Sequence, residues 1–213
     1  LVLRVSVVES GLFEDVRKKS DVARGDLKLL FAKRERVVRY FACCCLGLPI
    51  WFVVGILITL SPELSKELQV SGTITAGTAV LYSYSGLAVG DLVSGVLSQY
   101  FGSRKKVLAA FITLSLIFVL VYVNAEGVSS AWFYAICAAL GFSVGFWAVF
   151  VTVAAEQFGT NLRATVTTTV PNFVRGAVVP ITMGFQFLQI YFSKIHSEVS
   201  FPISIREGAR SSF

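Results

Sequence analysis

Five long stretches of this 213-residue sequence are almost free of charge, and they constrain its fold more than any other feature. Four contain no Asp, Glu, Lys or Arg and the fifth contains a single arginine: 40–62, 68–90, 107–125, 127–155 and 164–193. A hydrocarbon core about 30 Å thick is crossed by roughly 20 residues of α-helix, and a chain in lipid must satisfy its own backbone hydrogen bonds. The sequence therefore predicts an all-α polytopic membrane protein with about five transmembrane helices, at about 38–60, 73–97, 107–124, 131–155 and 166–192.

The composition excludes several classes of protein. Only 15% of the residues are charged and 55% are hydrophobic, whereas soluble domains have about 25% charged residues and disordered chains are more polar still. Cys43, Cys44 and Cys45 are consecutive and cannot bridge one another, so no disulfide framework is expected. The single histidine, His196, leaves no His-based metal site or catalytic pair, and no Walker-type phosphate loop is present. We expect no enzyme activity, no cofactor and no metal site.

The basic residues indicate the orientation of the chain. Ten of the nineteen Lys and Arg residues lie in residues 1–39, and the loops with 104–106 and Arg163 fall on the same side if the helices alternate. The loops on the other side carry only Lys66 and Lys194. Basic loops stay in the cytoplasm, so we predict a cytoplasmic N-terminus. The basic N-terminal stretch lacks interleaved aromatic residues, which favours contact with anionic lipid over nucleic acid.

Small residues and prolines mark sites of helix packing and bending. Gly86 and Gly90, and likewise Gly141 and Gly145, have the four-residue spacing that lets membrane helices approach closely. This spacing is also common by chance in membrane helices. Prolines at 49, 171 and 180 lie inside the first and fifth predicted helices, where each removes a backbone hydrogen bond and favours a kink.

The loop at 95–106 reads Gly-Val-Leu-Ser-Gln-Tyr-Phe-Gly-Ser-Arg-Lys-Lys. It resembles the signature loop of major facilitator superfamily transporters, G-x-L-a-D-r-x-G-r-k-k. The matching positions are Gly95, Leu97, Phe101, Gly102, Arg104, Lys105 and Lys106. The chain departs from the pattern at Gln99, where the family has its carboxylate, and at Tyr100, where it has a basic residue. Asp91, two helical turns earlier, is a candidate replacement for the missing carboxylate.

Further segments resemble other motifs of the same family and occur in the same order along the chain. Glu156 and Arg163 resemble the E-x6-R element after the tenth helix of sugar-porter-like and organic-acid transporters. Residues 9–13 and 24–27 resemble the central linker, and 47–51 and 61–63 the seventh helix and its loop. The resemblance implies a partial fold of this superfamily, a C-terminal half with helices seven to eleven. Residues 1–37 would be the cytoplasmic linker between transporter halves, 38–193 the membrane helix bundle, and 194–213 a tail truncated before a last helix.

The resemblance implies a secondary active transporter that moves an organic acid or a sugar by alternating access. We expect coupling to protons and a place in the bacterial inner membrane. The expected partners are the small-molecule substrate, the lipid bilayer, the coupling proton and a missing N-terminal six-helix half. Because the chain opens with Leu1 and has only Met183, we expect it to be a piece of a longer protein. The alternative is a non-transporting membrane receptor or scaffold built from the same helices.

Arg175 is the strongest single candidate for a substrate contact. It lies about ten residues into the fifth predicted helix, about 15 Å from the cytoplasmic end and so near the bilayer midplane. A charge there costs at least about 2.5–3.5 kcal/mol, so Arg175 should face a water-filled cavity and meet an anion. That anion is either a substrate or an acidic side chain of the missing half. A purely structural pairing, or snorkelling to the surface, is the alternative.

Other residues complete the predicted sites. The further cavity candidates are Asn172, Gln186, Gln189, Trp147, Tyr82 and Tyr84. For the three aromatic residues, helix packing is the alternative role. The cytoplasmic gate and motif implied by the resemblance comprise Asp91, Gly95, Gly102, Arg104, Lys105, Glu156 and Arg163. Within it we expect Glu156 to pair with Arg163. For Lys105 we favour topology signalling and surface solvation over a role in the gate, and for Asp91 we favour pairing with a cytoplasmic base over a role as a proton carrier.

Overall fold

A computed structural model describes residues 30–188 and 191, apart from the side chains of 160 and 161. The long charge-free runs fold as helices, in keeping with the predicted all-α class. The helices are α1 Arg34–Phe52, which continues into a π-helical segment Val53–Ile58, α2 Ser61–Glu67, α3 Ala76–Tyr100, α4 Arg104–Val123, α5 Ser130–Ser143, α6 Trp147–Glu156 and α7 Thr160–Gly176. Residues 178–188 are also helical. Most of the predicted linker, the predicted tail and Gln189 lie outside the described residues.

Four segments are long and apolar enough to cross a membrane: Arg34–Ile58, Ala76–Tyr100, Arg104–Val123 and Ser130–Glu156. They coincide with the first four predicted spans. Large apolar side chains such as Leu92, Val96 and Leu116 are exposed on their outer faces. Exposed apolar surface on this scale is expected of helices that face lipid. The predicted fifth span, 166–192, is not among the four and stays a prediction, because its described part is divided between α7 and residues 178–188.

Proline and a buried tyrosine shape the first span. Pro49 lies inside α1 and has no backbone N–H to donate, and the helix widens to π geometry from Val53 onward. The carbonyl of Leu57 in this segment accepts a hydrogen bond of 2.9 Å from the buried hydroxyl of Tyr122 in α4. Side chains from the neighbouring helix therefore satisfy the backbone where the regular ladder is interrupted.

The fourth span is broken rather than continuous, contrary to the helix predicted over 131–155. Residues Val144–Phe146 separate α5 from α6. Because the chain leaves helical geometry there, the carbonyl of Ser143 is free to accept a hydrogen bond of 2.9 Å from the buried hydroxyl of Ser115 in α4. The break also gives α6 an N-terminus of its own inside the bundle, with backbone N–H groups that lack partners within the helix.

Glycine contacts hold α3 against the α5–α6 segment, as the small-residue spacing predicts. A Cβ added to Gly86 would overlap the carbonyl oxygen of Ala138, and one added to Gly141 would overlap that of Ser83. Gly90 and Gly145 meet backbone to backbone in the same way. At this crossing the two main chains touch without intervening side chains, which is the geometry that small residues permit between membrane helices.

The two ends of the bundle differ in charge. Helices α1, α4 and α7 begin, and α3 and α6 end, at what we call the basic end, which carries Arg34, Arg39, Arg104, Lys105, Lys106 and Arg163. At the opposite end the loops after α2 and α4 are joined by hydrogen bonds that include an isolated β-bridge between Ser71 and Ser129. The backbone N–H of Ser71 donates to the carbonyl of Val128 over 2.9 Å.

Candidate functional site

A cavity of about 190 Å³ lies where α1, α3, α6 and α7 meet, and the side chains of Tyr84 and Arg175 in its lining are exposed. Its lining combines apolar and aromatic side chains with one cation and one carboxylate: Ile50, Trp51, Val54, Tyr84, Leu87, Asp91, Trp147 and Arg175. Asp91 lies nine residues before Tyr100, the basic end of α3, which corresponds to about 14 Å of helix. That is about half of a hydrocarbon core some 30 Å thick. The cavity therefore lies near the level expected for the middle of a bilayer.

Arg175 supplies the cation of this cavity. It stands in the last turn of α7, and its guanidinium carbon lies 5.4 Å from the centroid of the Trp51 ring. A guanidinium over an indole face is attracted by the quadrupole of the ring, worth about 0.5–2 kcal/mol depending on desolvation. Within the described residues Arg175 has no ion pair, although Asp91 lines the same cavity. The aromatic contact orients the charge without neutralising it.

Asp91 supplies the carboxylate. Its Oδ1 accepts a hydrogen bond of 3.4 Å from the backbone N–H of Ala148, in the first turn of α6. The N-terminus of a helix favours a negative charge, because its N–H groups and its macrodipole are both positive there. The break at Val144–Phe146 thus creates the binding partner of Asp91. The cytoplasmic base predicted as a possible partner is not the group that Asp91 contacts.

Two tryptophans form the aromatic wall. Trp51 and Trp147 pack edge to face with their ring centroids 6.2 Å apart, and both side chains are half-buried. The indole N–H of Trp51 is buried without a hydrogen-bond partner among the described residues. Such a group is rare in a folded protein and marks a place where a solute or water can accept a hydrogen bond. The segment 47–51 resembles the seventh helix of the family and contains Trp51, but the sequence does not predict that Trp51 lines a cavity.

Several predicted cavity residues lie elsewhere. Tyr82 stacks on Tyr134, with centroids 5.4 Å apart, and does not line the cavity, whereas Tyr84 does. Residues two apart on a helix differ in direction by about 200°, so only one of the two tyrosines can face inward. The side-chain amide of Asn172 donates to the carbonyl of Thr168, one turn back on α7. Gln186 is exposed on the helical segment 178–188.

A second, larger crevice of about 670 Å³ opens at the basic end between α3, α4 and α6. The motif residues gather here: Gly95, Gly102, Arg104, Lys105 and Glu156 all line it. Gly102 has φ +58°, in the left-handed region that glycine adopts without strain, and it turns the chain from α3 toward α4. The signature glycine is therefore explained by the tightness of this turn.

An ion pair spans this crevice. The guanidinium of Arg104, at the start of α4, contacts the carboxylate of Glu156, at the end of α6. The predicted pairing of Glu156 with Arg163 is wrong: Arg163 is exposed and has no ion pair within the described residues. The chain reverses at residues 157–159 before α7 begins, while α4 begins directly beside the end of α6. The pair consequently links two elements that are distant in sequence.

A charge exchange tests this pair. Because the side chains of Arg104 and Glu156 are 43% and 48% exposed, the pair should contribute no more than about 1 kcal/mol to stability. We expect R104E and E156R each to lower the thermal midpoint in detergent, and the exchanged double variant to recover it. R163E combined with E156R is the matched control and should give no recovery. Recovery by that combination instead would show that Glu156 pairs with Arg163.

Comparison with known proteins gives a family. The family model of the Major Facilitator Superfamily matches residues 1–180. No curated protein and no solved structure matches the chain significantly. The match covers the candidate membrane spans, the lining of the central cavity and the Arg104–Glu156 crevice. Members of this superfamily are membrane transporters, and this chain belongs to the Major Facilitator Superfamily.

Proposed function

We propose that this chain forms part of a secondary active transporter for a small organic anion, with the central cavity as its substrate site. The observation that carries the proposal is the guanidinium of Arg175, in a cavity at mid-bundle level, with no acidic partner among the described residues. An arginine at this depth is costly unless it meets an anion. A carboxylate of the solute supplies that charge when the site is occupied.

The remaining lining is consistent with a small organic solute. Ligand sites are mostly apolar, with a few polar groups that fix the orientation. Trp51, Trp147 and Tyr84 supply aromatic side chains against which the body of the solute can pack. The indole N–H of Trp51, which has no hydrogen-bond partner among the described residues, is a further donor for an acceptor atom. A sugar is the alternative substrate. It would use the same aromatic faces but would leave Arg175 to be neutralised by an acidic side chain from elsewhere in the transporter.

Proton coupling is assigned to a carboxylate of the cavity, and Asp91 is this chain's own candidate. It shares the cavity with Arg175, so its charge state alters the net charge that a substrate anion meets. Protonated Asp91 favours anion entry, and deprotonation favours release. This exchange couples the proton to the solute within one site, as proton symport requires.

The Arg104–Glu156 pair is proposed as part of a gate at the basic end. Positive loops favour the cytoplasmic side, so this end and the N-terminus are assigned to the cytoplasm. The pair can close the crevice in the outward-facing state and separate in the inward-facing state. One exposed pair contributes little, so it must act with other contacts of the complete transporter to shift the equilibrium.

The described helices are assigned to a C-terminal half, with a second six-helix half completing the cavity. This follows the order of the motifs, from the linker-like segments through the loop at 95–106 to the Glu156 element. Two halves that rock about a central site are the basis of alternating access in this superfamily. Residues 1–213 alone should then insert into the membrane without moving solute.

Uptake by proteoliposomes tests the substrate class. The complete transporter gene that contains this segment is reconstituted, and labelled malate, citrate and glucose are offered with and without an inward proton gradient. We expect accumulation of one of the acids, abolished by a protonophore. Uptake of glucose alone would show that the substrate is a sugar and not an organic anion. Absence of flux for a broad panel of acids and sugars would favour a receptor or scaffold.

A further inference from the structure

A third cavity, separate from the central cavity and about 500 Å³ in volume, runs along the outside of the bundle between α1 and α4. The α1 side consists of Arg39, Cys43 and Leu46, with Ala42 between them. These positions follow the three- and four-residue spacing of one helix face. The α4 side repeats the spacing with Lys105, Leu108, Ala109, Ile112 and Thr113. Two parallel helix faces therefore form the walls of one groove.

Charge is confined to one end of this groove. Arg39 and Lys105 lie at the basic end. From there the lining is apolar along both helices, as far as Leu46 on α1 and Ile112 on α4, seven residues further along each. Seven residues of helix extend about 10 Å. Within the described chain the groove has no acidic lining residue, and neither cation has an ion pair. The groove thus offers a positive entrance and a hydrocarbon-like interior.

We propose that the groove binds an anionic phospholipid, with the phosphate between Arg39 and Lys105 and an acyl chain along Leu46 and Ile112. The charge pattern is complementary to such a lipid, which has an anionic head and an apolar tail in the same order. Basic pockets between membrane helices at the cytoplasmic face are typical sites for anionic headgroups. An apolar helix of another protein would fill the apolar part but would leave the two cations without a counter-charge.

The site also adjoins the ion-paired crevice. Lys105, Val153 and Gln157 line both the groove and the crevice that contains Arg104 and Glu156. A phosphate held by Lys105 would draw this side chain toward the groove and away from Glu156. The lipid is thereby positioned to influence how α4 and α6 meet at the basic end.

The first test concerns the headgroup. The 213-residue chain is extracted from vesicles of phosphatidylcholine with one fifth phosphatidylglycerol, and lipid-bound protein is quantified by native mass spectrometry. Each cation near an anionic lipid contributes about fivefold, so R39Q/K105Q should retain about 10- to 30-fold less phosphatidylglycerol. The matched control is R34Q/K106Q, which removes the same charge from exposed residues outside the groove lining and should retain the wild-type amount.

The second test concerns the acyl chain. Ala109 lines the groove and its neighbour Ala110 does not, although both are exposed. We expect A109W to expel phosphatidylglycerol and A110W to retain it, with both variants equally helical by circular dichroism. Equal retention by the lining and control variants in both tests would overturn the proposal. So would equal retention of phosphatidylcholine, which carries no net charge.

Discussion

Replacing Arg175 with glutamine is expected to weaken binding of the transported anion about 100-fold or more. In the proposed transporter the second half encloses the site, and removing one partner of an enclosed charge pair commonly costs several kcal/mol. Binding can be followed by tryptophan fluorescence, because Trp51 and Trp147 line the cavity. Trp132 is 71% exposed and lies outside the cavity, so a W132F background removes the signal of the third indole of this chain.

Two variants separate a substrate contact from a general effect of charge. R175K keeps the charge but loses the planar fork, and it should retain part of the affinity. K66Q removes an exposed charge from α2, far from the cavity, and should bind as the wild type does. If R175Q bound the anion with undiminished affinity, Arg175 would have a structural role and the substrate site would have to be sought elsewhere.

Leucine at Gly86 is expected to cause the largest loss of stability in the bundle. The new side chain would meet the backbone of Ala138, which cannot move aside as a flexible side chain can, so α3 and α5 would have to separate. Overpacking of this kind costs about 3 kcal/mol or more, equivalent to a thermal midpoint lower by roughly 10 °C. Because α3 also carries Tyr84 and Asp91, solute binding should weaken along with stability.

Gly77 provides the control for this prediction, since it lies in the same helix and has open space around it. G77L adds the same hydrophobic side chain, in the first turn of α3, but it meets no neighbour. We expect its midpoint, measured by circular dichroism in detergent, to stay within a few degrees of wild type. Equal midpoints for G77L and G86L would mean that the close approach of α3 and α5 contributes little to stability.

The sequence was sufficient to predict the four spans that the described residues contain, because the bilayer imposes a strong and local requirement on each span. A charge-free run of 20 residues has few alternatives once it is in lipid. The spacing of Gly86 and Gly90 likewise predicted close packing, which the backbone contact with Ala138 confirms. Local patterns of this kind can be interpreted without knowing how the neighbouring helices are arranged.

Features that depend on helix rotation could not be predicted. The direction in which Tyr82 and Tyr84 point is set by how α3 turns against α5, and the hydrophobic pattern of α3 is too uniform to fix it. The E-x6-R spacing predicts Arg163 as the partner of Glu156, whereas α4 brings Arg104 to the carboxylate from far away in sequence. The break before Trp147 cannot be predicted from Gly145, because glycine is also a residue of ordinary packing motifs.

The central claim is that the charge-free helices cross a bilayer and leave the basic end on the cytoplasmic face. Single cysteines introduced at Lys66 and at Lys106 test it, with a charged, membrane-impermeant maleimide applied to sealed right-side-out vesicles. Labelling of the unsubstituted chain measures the background from its own cysteine thiols. The account predicts labelling at position 66 in intact vesicles and at position 106 only after permeabilisation. Labelling of both positions from the outside, or of 106 alone, would contradict it.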